Sequence, residues 1–467
     1  MHIERELKFR LPRGAAPRLP ALPRSAHRVE SVYYDTAAQA LRRRGLALRL
    51  RRDGSRWRQT LKAEGAACGG LSARIEWEVP RERGTLDLRA FPLAEIRRRT
   101  GLDLGTLAGR LRPLFETRFR RRRSLVALED GGSAELCIDR GHIVSGRARE
   151  AIRELELELR AGSPQSLLAF GEGLGLALAY ESKAERGYRL AAGKRAAPRK
   201  WRAPPIAAAA APAEAFAALA GAALAQVGVN APGAAAASDP QYLHQMRVGL
   251  RRLRSLLRAF APHVRDAGPL KRDLRRFMRT LTPARDWDVI VGRLRRSGGG
   301  VPADVRRQHA AARRAARAAA RSPELTALLF RALRWIEAQP LAPEAPALAR
   351  LGAASLERLY RKARRHAGAQ DAAGRHALRV RLKDLRYAAE AFAPAIPGSE
   401  TMIRALRRLQ DLLGELNDLA VARKRMRKLG RPLPAAFDRA ERRLSAAAAA
   451  RWAAFERQAP NWRRSAR

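Results

Sequence analysis

The sequence predicts an α+β protein in which an antiparallel β domain, residues 1–195, precedes an all-α domain, residues 205–467. The amino-terminal half contains short segments in which apolar and polar residues alternate, which is the pattern of half-buried strands. The carboxy-terminal half contains long Ala-, Leu- and Arg-rich stretches with a helical period. Between them, residues 191–205 are basic, rich in proline and without periodicity, which predicts a linker at 196–204.

The composition restricts the classes of partner. The 467 residues include 94 Lys+Arg against 45 Asp+Glu, so the net charge is +49, but 46% of the residues are hydrophobic and can bury real cores. The charge indicates a polyanionic partner, namely nucleic acid, an acidic membrane surface or a condensed phosphate. Cys68 and Cys137 are too few for a disulfide framework or a zinc cluster, which favours a reducing compartment.

No targeting or membrane segment is predicted. The first twelve residues carry charges throughout and lack the apolar run of a signal peptide. The longest uncharged stretch, 215–238, is mostly Ala and is interrupted by Gly, Gln, Asn and Pro, so it is a poor membrane span. We therefore expect a soluble, cytoplasmic protein with no membrane span.

The predicted strands carry like charges along one side. Glu4, Glu6 and Lys8 alternate with apolar residues, as do the carboxylates of 154–158 and the arginines of 48–51. On any single strand, a solvated face explains this pattern. Acidic strands beside basic strands also suit one site, where carboxylates hold divalent metals and basic side chains hold phosphate oxygens. Phosphoryl transfer depends on that combination, because charge stabilisation and positioning supply most of its catalysis.

An ordered series of motifs carries a family resemblance. Glu4-x-Glu6-x-Lys8 resembles the ExExK signature of the CYTH, or triphosphate tunnel metalloenzyme, superfamily. The resemblance spans about residues 1–195. It continues through Tyr33-Tyr34-Asp35-Thr36, Ala40-Leu41-Arg42, Leu48-Arg49-Leu50-Arg51, Gln59-Thr60-Leu61-Lys62, Glu154-Leu155-Glu156-Leu157-Glu158 and Ser182-Lys183-x-x-Arg186-Gly187-Tyr188.

The resemblance implies an eight-stranded antiparallel barrel whose charged residues line a tunnel that binds triphosphate with Mg²⁺ or Mn²⁺. A metal-activated water would attack a terminal phosphorus. The implied catalytic residues are Lys8, Glu4 and Glu6. The implied metal ligands are Glu4, Glu6, Glu154, Glu156 and Glu158. The implied substrate-binding residues are Arg49, Arg51, Lys62, Arg118, Lys183 and Arg186. Arg120, Glu76 and Glu78 are left open between the inside and the outside of the barrel.

The carboxy-terminal half contains an internal duplication. A shift of 132 residues, without gaps, superposes His244 on His376 and the segment Ala259–Pro262 on Ala391–Pro394. Leu274-Arg275-Arg276 falls on Leu406-Arg407-Arg408, and Asp286 falls on Asp418. Two similar helical modules, about 205–335 and 336–467, are predicted.

A basic stripe repeats in both modules. On a helix, His244, Arg247, Arg251, Arg254 and Arg258 fall within an arc of about 80°, beside the apolar face rather than opposite it. His376, Arg379, Lys383 and Arg386 repeat the stripe, with Glu390 in place of Arg258. A solvated basic face or a satisfied core histidine are the structural alternatives. A row of guanidinium groups suits a row of phosphates, and the absence of interleaved aromatic residues disfavours base stacking.

The stripe motif, Leu243-His244-x-x-Arg247-Val248-x-x-Arg251-Arg252-Leu253-Arg254, resembles the CHAD domain, as do the segments around Asp286 and Asp418. The resemblance implies two pseudo-twofold-related four-helix bundles and a surface that binds inorganic polyphosphate. The implied polyphosphate-binding residues are His244, Arg247, Arg251, Arg254, Arg258, Arg275, His376, Arg379, Lys383, Arg386 and Arg407. The second copy has Asp384 and Asn417 where the first has Arg252 and Arg285. We therefore expect the second stripe to bind phosphate more weakly. We expect Asp286 and Asp418 to cap helices.

The sequence therefore predicts a metal-dependent inorganic triphosphatase joined to a polyphosphate-binding module. It would split tripolyphosphate into diphosphate and phosphate. Its partners would be inorganic triphosphate and polyphosphate, with polyphosphate granules as a candidate location and no specific nucleic acid. The alternatives are a non-catalytic granule-associated binding protein, hydrolysis of an organic triphosphate such as ATP or thiamine triphosphate, and, on charge alone, a nucleic-acid binder.

Overall fold

The computed structural model describes residues 2–12, 26–63, 69–236, 239–296, 300–368, 371–431, 435–457 and 462. The chain divides into two compact units. The first, the barrel unit, comprises Met1–Ala197 and Leu329–Ala338, and the second, the helical unit, comprises Pro198–Leu328 and Gln339–Arg467.

The barrel unit is built on eight antiparallel strands. They are β1 (His2–Arg10), β2 (His27–Asp35), β3 (Leu46–Asp53), β4 (Arg56–Ala63), β5 (Leu71–Arg81), β6 (Arg112–Ala127), β7 (Ser133–Ser145) and β8 (Ala148–Ala161). Their order around the closed barrel is β1-β5-β4-β3-β2-β6-β7-β8. The predicted α+β class, with a closed eight-stranded barrel before a helical region, is confirmed.

Apolar residues of the strands face outward, where helices cover them. Leu7 and Phe9 of β1 pack against Gly171 of α2 (Pro164–Gly173), where an added Cβ would lie 2.8 Å from Leu7. On the opposite wall, Leu48, Leu61 and Trp77 share a core with Ile96 of α1 (Leu93–Thr100). Because side chains alternate along a strand, this outer cover turns the charged positions of the same strands toward the barrel interior.

Helix α3 (Lys183–Ala191) packs against apolar inner residues of the barrel. It begins in a capping box in which the Ser182 hydroxyl accepts from the Glu185 amide and the Glu185 carboxylate accepts from the Ser182 amide. An added Cβ at Gly187 would lie 2.0 Å from the Phe115 ring, so only glycine allows this close approach. The start of α3 thereby brings Lys183 and Arg186 to the charged interior.

The helical unit contains two similar bundles. The helices after α3 are α4 (Pro212–Ala236), α5 (Pro240–Ala259), α6 (Gly268–Arg296), α7 (Ala303–Ala320), α8 (Pro323–Glu337), α9 (Leu348–Arg364), α10 (Ala372–Phe392), α11 (Ser399–Lys428) and α12 (Ala436–Arg457). Helices α4 to α7 pack together, and α9 to α12 repeat the arrangement. The ranges of α5 and α6, shifted by 132 residues, fall on those of α10 and α11, as the duplication predicts.

Helix α4 is long and apolar enough, by length and composition, to cross a membrane. Its most apolar window has a mean hydropathy of 1.3, and 56% of that window is buried inside the structure. Phe216 of this helix stacks edge-on against Phe260 at the end of α5, with ring centroids 5.1 Å apart. The core helix of a soluble bundle has the same properties.

Candidate functional site

Carboxylates of β1 meet lysines inside the barrel. Glu4 and Glu6 are buried, Lys62 Nζ lies 2.5 Å from Glu4 Oε2, and Lys8 pairs with Glu6. Lys62 also lies 3.2 Å from Glu76, which settles Glu76 as an inner residue. Burial by itself would lower the Lys62 pKa, but the Glu4 and Glu76 carboxylates outweigh it and the pKa is raised.

A second cluster joins β7, β8 and α3. Lys183 Nζ lies 2.8 Å from Asp139, 2.9 Å from Glu154 and 2.8 Å from Glu156. Arg121 of β6 lies 2.7 Å from Asp139 and 2.6 Å from Glu156. Burial lowers the Lys183 pKa less than the three carboxylates raise it, so the net pKa is well above its usual value. The predicted residues Lys183, Glu154 and Glu156 therefore lie together.

Arg51 is a tunnel cation whose charge is poorly compensated by the carboxylates around it. Its Nε donates to the Ser31 hydroxyl at 3.2 Å, whereas its neighbour Arg49 pairs with Glu76 at 3.5 Å. Burial, followed by the nearby charges of Arg49 and Arg121, lowers the Arg51 pKa to about 10. A phosphate in the tunnel would stabilise the charged guanidinium and offset this effect, so Arg51 is placed to bind an anion.

Three carboxylates in the tunnel suit a divalent cation. Glu6 and Glu158 are cross-strand partners on β1 and β8, and Glu4 is the next inward residue on β1. Burial, then the charges of Glu4 and Glu6, raise the Glu158 pKa to about 7. Because Glu158 resists ionisation beside the other two carboxyl groups, a bound cation would be favoured at this position. Carboxylate oxygens are also the ligands that Mg²⁺ and Mn²⁺ prefer.

In the described part of the chain, no group of three His, Cys, Asp or Glu side chains already stands in a metal-holding arrangement. Glu4 and Glu6 are paired with Lys62 and Lys8, as described above. Glu154 and Glu156, the other two predicted ligands, are held by cations of α3 and β6. The predicted five-carboxylate set is thus divided, and Glu4, Glu6 and Glu158 are the members that fit a cation by their chemistry.

Arg118 is not a tunnel residue, contrary to the sequence prediction. Its side chain is 54% exposed and binds Glu116 at 2.6 Å on the outer face of β6. Phe119 and Arg121 are among the inward residues of this strand, so Arg121 rather than Arg118 supplies a charge to the interior. Arg120 is also exposed on the outer face, whereas Glu78, although exposed, lies on the same inward face of β5 as Glu76 and pairs with Arg58.

Asp139 and Arg121 were missed by the sequence analysis, although a signal for Asp139 exists. Glu135, Cys137 and Asp139 alternate with Leu136 and Ile138, which is the same pattern that identified β1 and β8. The predicted clamp Arg186 has its Nε 2.7 Å from Glu150 and also contacts Glu154.

Parts of the motif series build the scaffold rather than the site. The Asp35 carboxylate accepts hydrogen bonds from the amides of Thr36, Leu41 and Arg42 at 2.7, 2.9 and 3.0 Å, which shapes the turn after β2. Gln59 faces outward and bonds both the amide and the carbonyl of Asp87. These residues hold strands and turns in place while their neighbours supply charge to the interior.

A cationic centre lies in the helical unit. His244, Arg247 and Arg251 of α5 lie near Arg285 of α6 and Lys383 of α10. Burial and the surrounding positive charges lower the pKa of Arg247 to about 10 and that of His244 to about 4. His244 is half-buried among cations, which fits an anion-binding centre better than a satisfied core histidine.

The second stripe contributes to the same centre. Arg379 lies near Arg251 and Asp418, and burial together with Arg251 lowers its pKa to about 10. Burial, Arg251 and Arg379 also hold the Lys383 pKa well below its usual value. His376, by contrast, is exposed and lies 2.6 Å from Asn417, the residue that replaces Arg285.

Two ion pairs between α5 and α10 explain why the second repeat has Asp384 and Glu390 in place of arginines. Arg252 lies 2.6 Å from Glu390, and Arg258 lies 3.0 Å from Asp384. A shift of 132 residues converts one pair into the other, so the two pairs are pseudo-twofold mates. Asp384 and Glu390 therefore neutralise arginines of the first repeat, and Arg386 and Arg407 also contact Glu390.

The expectation that Asp286 and Asp418 cap helices is wrong. Both lie inside long helices, α6 and α11, rather than at an end. Asp286 binds Arg425 at 2.8 Å, which joins α6 to α11. Both carboxylates also act on the cationic centre, where they partly offset the mutual repulsion of its arginines.

Comparisons with known proteins agree with this division of the chain. The CYTH domain model matches residues 2–188, and the CHAD domain model matches residues 218–427. The inorganic triphosphatase of Haemophilus influenzae is 31% identical over 169 residues, which are 34% of this chain. The chain spans about half, 45%, of the length of that curated relative.

Two solved structures are similar to parts of the chain. The CHAD domain from the plant Ricinus communis is 31% identical, with a TM-score of 0.46, over 57% of this chain and 96% of its own. A candidate adenylyl cyclase from Hippeastrum, described as having a dominant triphosphatase activity, is 21% identical, with a TM-score of 0.29, over 41% of this chain and 97% of its own. With the barrel, the helical repeats and both family matches in the same order, the chain belongs to the proteins in which a CYTH domain precedes a CHAD domain.

Proposed function

We propose that the barrel hydrolyses inorganic triphosphate with the help of a divalent cation and that the helical unit binds inorganic polyphosphate. The observation that supports the first part is the enclosure of opposed carboxylates and cations in one passage, where Glu4, Glu6 and Glu158 face Lys8 and Lys62. Such a passage offers ligands for a cation and for a chain of phosphates at once. We expect the protein to work in the cytoplasm, with polyphosphate granules as a candidate location.

The ion pairs of the tunnel suggest that the lysines exchange their carboxylate partners for phosphate when the substrate binds. Phosphate oxygens compete for Lys62 and Lys8, which releases the Glu4 and Glu6 carboxylates for a cation. Arg49 and Arg51 hold the phosphate chain from β3, and Lys183 and Arg186 hold it from α3. A divalent cation at Glu4, Glu6 and Glu158 would neutralise phosphate oxygens and lower the pKa of a water ligand.

The polyphosphate site is proposed at the cationic centre. Burial, together with the neighbouring positive charges, lowers the pKa values of Arg247, Arg379 and Lys383. A phosphate chain would supply the missing negative charge without any need for a metal. Arg247, Arg251, Arg379 and Lys383 are the residues expected to contribute most, and Arg258, Arg386 and Arg407 less, because they are already paired.

The catalytic proposal is tested by phosphate release from a panel of substrates. The full chain with Mg²⁺ or Mn²⁺ should release orthophosphate from tripolyphosphate, faster than from ATP or thiamine triphosphate. Glu4→Gln and Lys8→Met should lower the rate by roughly 100-fold or more, the loss expected when a charged transition-state contact is removed. Arg118→Gln is the matched control, since its side chain lies outside the barrel, and should retain full activity.

The outcomes separate the alternatives. Absence of release with any divalent cation would contradict the proposal and favour a binding protein with an inactive tunnel. A preference for ATP or thiamine triphosphate would replace the inorganic substrate with an organic one. For the helical unit, Arg251→Gln should weaken the binding of long-chain polyphosphate, and Arg314→Gln on the exposed face of α7 should not.

A further inference from the structure

A row of arginines crosses the outer face of the barrel. Arg28 of β2 is the cross-strand partner of Arg120 of β6, which is the partner of Arg140 of β7, which in turn is the partner of Arg153 of β8. Four arginines thus occupy directly opposed positions on four adjacent strands. With strands about 4.8 Å apart, this outer arginine row is about 14 Å long.

The row is exposed and outside the tunnel. All four residues are exposed, whereas the next residue along each strand, for example Asp139 or Glu154, is buried in the interior. Arg28 donates to Glu30 at 2.6 Å. Within the described part of the chain, Arg120, Arg140 and Arg153 have no carboxylate partner.

Like charges placed directly opposite each other on neighbouring strands destabilise a sheet. Four in succession, without intervening acids, concentrate positive potential on a short line. That line has the wrong composition for a purely structural surface, where both signs are normally interspersed. Charge complementarity therefore indicates an anionic ligand that contacts several positions of the row.

We propose that the outer arginine row binds linear inorganic polyphosphate, as a site separate from the tunnel. The choice of a condensed phosphate rests on the proposed function. Two features favour it over single-stranded nucleic acid. Outward neighbours two residues along the strands, such as Arg118, Ile138 and His142, include no Phe, Tyr or Trp on which bases could stack. The row is also one residue wide, which suits a chain of phosphates without bases or sugars.

The row would act as a holding site for long chains near the catalytic domain. Guanidinium groups bind phosphate oxygens through paired donors, so each arginine can hold one phosphate. Tripolyphosphate is short and is bound in the tunnel, so its turnover should not depend on the row. Long chains, in contrast, gain affinity from every additional contact.

The test uses the full chain and long-chain polyphosphate in EDTA, which stops the proposed hydrolysis. Arg120→Gln/Arg140→Gln removes the two central charges, and neutralising opposed like charges should not unfold the sheet. The matched control, Arg98→Gln/Arg110→Gln, removes two exposed arginines elsewhere in the barrel unit. Each removed contact should reduce the slope of log affinity against log salt by about 0.7, so we expect a shallower slope by about 1.4 and roughly tenfold weaker binding.

Three outcomes would overturn the proposal. They are unchanged binding in Arg120→Gln/Arg140→Gln, an equal loss in the control pair, or tighter row-dependent binding of a single-stranded oligonucleotide than of polyphosphate at the same salt. Tripolyphosphate turnover with Mg²⁺ is measured separately on the same proteins and should be equal in all of them. If the unsubstituted chain did not hydrolyse tripolyphosphate, the proposed function would be contradicted, but the binding result would stand.

Discussion

The two units place their buried cations in opposite surroundings. In the barrel, Lys62 and Lys183 face carboxylates, and their pKa values are raised despite burial. In the helical unit, Arg247 and Lys383 face other cations, and their pKa values are lowered. Lysine is therefore stabilised as a cation at Lys62 and Lys183 and destabilised at Lys383, although Arg51 of the tunnel shares the lowered pKa found in the helical unit.

This difference corresponds to the two proposed ways of binding phosphate. A tunnel with balanced charges has ligands for both a metal and an anion, as a hydrolytic site requires. A centre with an excess of positive charge needs the anion itself for balance, which suits binding without chemistry. Making the same substitution in both units tests this contrast.

The largest expected effect is on stability. Lys183→Met leaves Asp139, Glu154 and Glu156 without their shared lysine, and breaking a buried ion pair typically costs about 3–5 kcal/mol. Lys383→Met relieves repulsion with Arg251 and Arg379 and should be neutral or stabilising by about 1 kcal/mol. Calorimetry of the two full-length variants should show transitions that move in opposite directions.

Lys194→Met, at an exposed position after α3, is the control for loss of a lysine from the barrel unit. If Lys183→Met and Lys383→Met destabilised the protein equally, the distinction between balanced and unbalanced charge would be wrong. Polyphosphate should reverse the stability gain of Lys383→Met, because the unsubstituted centre is the one that binds the anion more tightly.

The next effect is a pH dependence set by Glu158. Its pKa is raised from 4.5 to about 7 by burial and by Glu4 and Glu6, while Arg160 and Lys62 oppose the shift. The folded state therefore holds a proton that the unfolded state releases. This contribution to stability is complete below pH 4.5 and is lost as the pH rises through 7. After allowance for partial exposure, the loss should be about 2 kcal/mol.

Unfolding of the metal-free protein between pH 4.5 and pH 8 measures this effect, with Glu158→Gln as the comparison. The unsubstituted protein should lose stability relative to Glu158→Gln as the pH rises. A constant difference across that range would contradict the raised pKa. Added Mg²⁺ should stabilise the protein more at pH 8 than at pH 5.5, because it competes with the proton for the same carboxylates.

Alternation in the sequence predicted the inside and the outside of most strands, but it failed on β6. One face of this strand carries Arg118, Arg120 and Arg122, and the other carries Arg121 and Arg123. The sequence pattern therefore predicts basic residues on both faces. Only the register with β7, in which Arg121 lies opposite Asp139, decides which face turns inward. Long-range pairing of this kind is not encoded in a local pattern.

The helical repeats were predictable from one offset, whereas the meaning of their differences was not. Asp384 and Glu390 looked like losses from a basic stripe. They contact Arg258 and Arg252 across the pseudo-twofold relation, which depends on the packing of α5 against α10. Asp286 and Asp418 were assigned to helix caps, but α6 and α11 run continuously through both positions.

The smallest expected effect is on binding at the cationic centre. The His244 pKa is lowered to about 4 by burial and by Arg285 of α6, Arg251 and Arg247 of α5 and Lys383 of α10. A bound polyanion favours the charged imidazole and raises this pKa. Binding therefore takes up a proton, and affinity for polyphosphate should increase modestly as the pH falls from 8 toward 5.

Calorimetric titration in buffers of different ionisation enthalpy measures that proton directly. His244→Asn should remove part of the uptake, whereas His376→Asn should change it little, since His376 is exposed and bonded to Asn417. Equal effects of the two substitutions would mean that the repeats share the anion equally. Because burial and neighbouring cations also lower the Lys383 pKa, proton uptake that persists in His244→Asn should disappear in Lys383→Met. The two variants thus separate a histidine contribution to the proton uptake from a lysine contribution within the same cationic centre.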